Sequence, residues 1–206
     1  MVFVINCKKL NMKTCLTLFV LFFSSSVFAE DISEFQIEGI SIGDSLLSYM
    51  SEEEIKKEIE YNLRDYKYLN NPKLFREVYM RKKKGLYDQL SFFIKSNNSN
   101  YKIYFVRGMI NYEEELEACL NKKKEIIDII TKDTTKLKTN DVTSILPLDS
   151  SGKSITYATN LIFKNSDNIT VSCSNWEESF RKENNYTEGL SVILSKGEVM
   201  DWLSDY

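Results

Sequence analysis

The chain has 206 residues, of which 43% are hydrophobic and 28% charged, with a formal net charge of −3. That length and apolar content suffice for a core of ordinary size, and the acidic balance offers no basic footprint for nucleic acid. There is no histidine, which excludes histidine-based triads, Cys–His pairs and the common zinc ligand sets.

Lys8, Lys9 and Lys13 precede an apolar run from Leu16 to Phe23, interrupted only by Thr17. Ser24, Ser25 and Ser26 follow, then Val27-Phe28-Ala29. A positive start, a short apolar run and short residues three and one before a cut predict a Sec-type signal peptide over 1–29, cleaved after Ala29. Translation starts at Met1 or Met12. The run falls short of the roughly 20 residues that span a bilayer, and no later run reaches that length, so no transmembrane anchor is expected after cleavage. A lipoprotein would need a cysteine just after the run, and Cys15 lies before it. The expected location is the periplasm or the medium.

Ile37 to Ile42 alternates weakly, and Gly43-Asp44 opens a helical stretch with Asp44 as its N-cap. Ser51-Glu52-Glu53-Glu54 has the spacing of a capping box, followed by a helix with Ile55, Ile59 and Leu63 on one stripe. Asn70-Asn71-Pro72 ends it. Three strands are predicted next, over Leu74 to Arg81, Leu86 to Lys95 and Tyr101 to Ile110. Gly85 separates the first two, and Ser96 to Asn100 makes a hairpin loop between the others. Arg81 to Lys84 reads as a solvated turn.

A long helix is predicted from Tyr112 to Thr131, with Leu116, Cys119, Leu120, Ile127 and Ile130 on one face. Glu113, Glu114 and Glu115 at its start and Lys122, Lys123 and Lys124 beyond its middle suit the helix dipole. Lys132 to Ser151 reads as a polar connector. Strands over Ser154 to Lys164 and Ile169 to Ser174, a polar loop after Trp176, a strand over Leu190 to Ser195 and a short helix over Gly197 to Leu203 complete the chain. The expected class is α+β, a mainly antiparallel sheet of about six strands with helices packed on one face. Residues 30–206 form one domain, or two small halves with a boundary near 132–153.

Two cysteines, Cys119 and Cys173, lie beyond the leader. In an exported chain they are expected to pair, closing a loop worth roughly 4 kcal/mol in the chain-entropy model; the alternative is two buried thiols.

Chemistry is sparse. Asp149 to Ser154 contains Gly152-Lys153-Ser154, the tail of a phosphate loop. Pro147 stands where that motif's first glycine belongs, and a strand follows where it needs a helix. A polar turn is expected there. The acidic clusters at Glu52–Glu54 and Glu113–Glu115 lie at helix starts, where capping accounts for them. Glu177 and Glu178 beside Trp176 could form an acid/base pair on a sugar, though adjacent side chains usually diverge. No cofactor, metal ligand set or catalytic constellation is expected. Aromatic residues make up 13% of the chain; Trp176, Tyr104 and Trp202 are the candidate binding surface, against the alternative that they fill the core.

Several segments occur together: Ile40-Ser41-Ile42-Gly43-Asp44-Ser45-Leu46-Leu47 before Ser51-Glu52-Glu53-Glu54-Ile55, Tyr101-Lys102-Ile103-Tyr104 with the downstream Cys119, Cys173-Ser174-Asn175-Trp176, and the ending Asp201-Trp202-Leu203. The set resembles small exported proteins of AT-rich, streamlined marine bacteria, a group without an assigned activity. The resemblance implies a Gram-negative periplasm and brings no catalytic residue. The expected function is an exported binding or accessory module of the cell envelope, whose partner is a protein, glycan or small solute. The alternative is a histidine-free hydrolase or glycan-active enzyme using carboxylates such as Glu177 or Glu178.

Overall fold

The computed structural model describes residues 31–65, 69, 74–81, 85–112, 115–132, 134, 137–184 and 186–205. The expected signal peptide, Lys82 to Lys84, Glu113 and Glu114 lie outside these residues.

Strands β1 (Gln36–Ile37) and β2 (Ile40–Ser41) form a small antiparallel hairpin. Its turn residues Glu38 and Gly39 have φ of 51° and 80°, the left-handed pair of a tight hairpin turn. The Glu38 carboxylate accepts the amides of Leu86 (2.7 Å) and Tyr87 (3.1 Å), fixing the hairpin to the main sheet. The helical stretch expected after Gly43 is a single 3-10 turn, Leu46–Ser48, capped by Ser45. Asp44 is therefore not the cap; it accepts the Ser41 amide (2.9 Å) and the Tyr49 hydroxyl (2.7 Å).

Helix α1 (Glu52–Asp65) starts on the expected capping box. Ser51 Oγ accepts the Glu54 amide (3.3 Å), and Glu54 accepts the Ser51 amide in return (2.9 Å). The helix packs along β3 (Phe75–Arg81). Strands β4 (Gln89–Lys95) and β5 (Ile103–Asn111) complete a first meander. Helix α2 (Leu116–Lys132) then carries the chain to the far edge. From there β6 (Lys138–Ile145), β7 (Ile155–Ile162), β8 (Asn168–Asn175) and β9 (Gly189–Ser195) step back inward, with α3 (Glu178–Asn184) between the last two. Helix α4 (Gly197–Ser204) ends the chain.

Among the described residues seven strands form one antiparallel sheet, in the order β3-β4-β5-β9-β8-β7-β6. The two meanders meet along β5 and β9, where seven residues of each strand pair in continuous register. The α+β class and the antiparallel sheet are as expected, with one more strand than expected. That strand is β6, in a stretch expected to be a connector. All eight of its residues are exposed, so it has no buried face to impose an alternating pattern, and its pairing with β7 is what makes it a strand. Helix α3 likewise replaces an expected loop.

Each strand alternates its side chains between the two faces. Val78, Phe92, Val106, Leu194, Ile169 and Leu161 are register partners across six strands, and all are buried. This row is the middle of the main core, which also takes Cys119, Ile126 and Ile130 from α2 and Ile32, Phe35 and Ile37 from the N-terminal segment. Cys119 and Cys173 form the expected disulfide, pinning α2 to β8 with their Cα atoms 6.0 Å apart.

A second, smaller core forms on the opposite face. Phe75, Phe93 and Phe105 meet Leu69 and the α4 residues Val199 and Trp202. Helices therefore do not all pack on one face, as expected from sequence, because β4 and β5 each carry two successive buried side chains, Phe92-Phe93 and Phe105-Val106. Successive large apolar residues in a strand must be covered from both sides. Asp167 in the β7–β8 turn holds α4 in place by accepting the Gly197 amide (3.0 Å) and the Lys196 ammonium (2.7 Å).

Candidate functional site

The three aromatic residues expected to share a surface do not. Trp202 is 3% exposed and belongs to the second core, with its ring 5.2 Å from that of Phe75 and 5.7 Å from that of Phe93. It is a packing residue, and the expectation that it faces a ligand is corrected. Tyr104 lies at the rim of the same cluster. It is the extra residue of a bulge, since Phe93 pairs with Phe105 and Ile94 with Ile103. Its ring lies under the Lys95 ammonium at 4.6 Å, and Lys95 is itself paired with Glu198 at 2.8 Å. Trp176 is elsewhere, stacked on Tyr186 (4.6 Å) and beside Phe180 (5.9 Å). Its amide donates to the buried Glu188 carboxylate at 2.8 Å, and Arg181, also buried, approaches Glu188 at 3.6 Å. Trp176 thus anchors the segment around α3.

The carboxylates beside Trp176 are engaged in structure. Glu177 caps α3 by accepting the Phe180 amide (2.8 Å) and the Ser179 hydroxyl (2.5 Å). Glu178 pairs with Lys182 one turn on. The hydrogen bond from Ser179 holds the pKa of Glu177 below the usual glutamate value, and the bond to Lys182 does the same for Glu178. Both are held as carboxylates, and neither has the raised value that suits a general acid. The phosphate-loop-like segment closes on itself: Asp149 accepts the Ser151 amide (2.8 Å) and hydroxyl (2.7 Å) and the Ser154 amide (3.1 Å) and hydroxyl (2.7 Å). These donors hold Asp149 down at about 2, the Ser154 hydroxyl most strongly. The amides a phosphate would need are turned onto this side chain, and Ser154 Oγ also accepts the Glu177 amide (2.8 Å). Among the described residues no group of three or more acidic or cysteine side chains is placed to hold a metal ion, and no helix is long and apolar enough to cross a membrane.

The sequence reading missed a different site. One residue along each strand from the buried apolar row lies its counterpart on the opposite face: Tyr79, Ser91, Arg107, Ile193, Thr170, Asn160 and Asn140, register partners across all seven strands. The next row towards the C-terminal end of β5 has Arg81, Gln89, Met109, Ser191, Ser172, Ala158 and Val142. Beyond the aromatic cluster under α4 this face is therefore built from small and polar side chains, most of them half-buried or exposed.

Arg107 stands on β5, the third strand of this face, half-buried. Its Nε is buried without a hydrogen-bond acceptor, and among the described residues no carboxylate pairs with it. Ser91, its direct partner on β4, is fully buried, and its Oγ also has no partner. A buried donor left unmade costs about 1–3 kcal/mol, so two side by side require a reason. Farther along the row the polar groups satisfy one another, with Thr170 Oγ1 donating to Asn160 Oδ1 at 2.7 Å. Within this row the buried atoms without a hydrogen-bond partner fall on the adjacent pair Arg107 and Ser91; away from it, Asn62 Oδ1 is also buried without one. The signal in the sequence was a charge in the interior of the strongest strand run, Tyr101 to Ile110, in phase with Phe105 and Met109, the run's other charge, Lys102, lying at its start.

Neither protein-family models, curated proteins nor solved structures give a match to this chain.

Proposed function

We propose that the chain is an exported binding module of the cell envelope whose working surface is the polar face of the sheet around Arg107. The observation that carries this reading is the unpaired Arg107–Ser91 couple on a face of small polar residues. Buried polar groups are otherwise satisfied within a fold, and unmet ones at a half-open surface suit a ligand that completes them. Export is supported by the leader-like segment before Glu30 and by the Cys119–Cys173 bond, a type of crosslink that persists in oxidising compartments. The resemblance to exported proteins of marine bacteria favours the periplasm.

A photo-crosslinking residue tests the surface directly. Ser172 lies on the proposed face, and Lys124 lies on the exposed side of α2. With a crosslinker at either position in cells that export the protein, the reading predicts a discrete adduct in the intact mass at 172 and none at 124. Equal labelling at both positions, or none at 172, contradicts it, as does recovery of the protein in the cytoplasmic fraction with its leader intact.

A further inference from the structure

We propose that Arg107 and Ser91 form a subsite for the carboxylate of a small monoanionic solute; this rests on the reading of the polar face as the working surface. The guanidinium presents planar, paired donors that match the two oxygens of a carboxylate. The Ser91 hydroxyl, directly across on β4 at a Cβ separation of about 5 Å, supplies a further donor from below. Apolar neighbours stand beside it as well: Ile193 is the partner on β9, and Phe105 and Met109 flank Arg107 along β5 on the same face, with Gln89 and Ser191 at diagonal positions. A charge pair in such a setting is stronger than one in water, and an apolar body attached to the carboxylate finds contacts on either side.

Charge balance selects the class. The row has one cation and no anion, so a single negative charge completes it; in the adjacent rows on this face, the charged Glu77 and Arg81 lie two strands away on β3. A phosphate dianion would bring a second charge that no other side chain of the row neutralises. In this row, among the described residues, two neighbouring side chains have unmet hydrogen bonds, and the Arg107 Nε lies below the surface. A small group that inserts between side chains reaches them, whereas a broad macromolecular face rides above.

Benzoate is the probe, because it joins one carboxylate to an apolar ring. The isotopically labelled protein, purified as the cell processes it, is titrated while the Arg107 Nε–H resonance is followed, that signal being assigned by its loss in Arg107→Gln. A saturable shift at millimolar benzoate is expected, with neutral benzamide and inorganic phosphate giving no saturation. Backbone resonances of β4 and β5 should report affinity at least tenfold weaker in Arg107→Gln, about threefold weaker in Ser91→Ala, and intermediate in Arg107→Lys, which keeps the charge and loses the planar fork. A response that never saturates, that phosphate reproduces, or that persists unchanged in Arg107→Gln overturns the assignment. The Arg107→Lys comparison decides the matter if the glutamine variant does not fold. If benzoate fails while the crosslink at 172 forms, the carboxylate class falls and the working surface stands. If benzoate saturates while 172 stays unlabelled, the subsite stands and the broader surface falls.

Discussion

The two faces of the sheet differ by one residue of register and by nearly everything else. The row from Val78 to Leu161 is apolar and buried over six strands, covered by α2 and the N-terminal hairpin. The row from Tyr79 to Asn140, one position along each strand, has an unpaired arginine on its third strand and hydroxyl or amide groups at five of its other six places. The first face is where folding free energy is gained, at about 25 cal/mol for each Å² of apolar surface removed from water. The second contributes at the aromatic cluster under α4 and carries unmet hydrogen bonds beyond it. A strand whose one face stabilises leaves the other free to be selected for something else.

Truncation of the buried row should break the fold, and truncation of the polar row should not. The largest effect is expected for Phe92→Ala, which empties a fully buried position and should cost about 3–5 kcal/mol in a urea titration. A loss below 1 kcal/mol would mean that the row is not the centre of the core. Next is the disulfide, which ties that face to α2. Replacing both Cys119 and Cys173 by serine should lower stability by about 2–4 kcal/mol, and reductant should lower the parent by a similar amount while leaving the double variant unchanged.

A smaller, pH-dependent effect is expected where the turn before β7 closes on Asp149. Its folded value, about 2, lies below the ordinary 3.8. The stabilisation it provides is therefore present above pH 4 and is lost as pH falls towards 2. Asp149→Asn should lower stability at neutral pH and flatten the dependence between pH 4 and 2; an unchanged acid limb would show that the four donor bonds contribute nothing net.

Local rules made much of this fold legible. The Ser51–Glu54 capping box, the Ile55–Ile59–Leu63 stripe and the β-rich runs all encode structure within a few residues. What escaped depends on long-range neighbours. Strand β6 is exposed on both sides, so only β7 defines it. Trp202 could have faced solvent or Phe93 on sequence alone; the Asp167 bonds at the start of α4 place it inside. Arg107 was readable as a charge in a strand, but its lack of a counter-ion depends on neighbours brought from the two strands on one side of β5 and the four on the other.

The account turns on Arg107 being present for binding and not for folding. Arg107→Met keeps the length and apolar stem of the side chain and removes the charge and its unmet donor. The account predicts a melting free energy within about 1 kcal/mol of the parent, or above it, together with loss of the adduct at position 172. A destabilisation of several kcal/mol, or an adduct that forms undiminished, would contradict it.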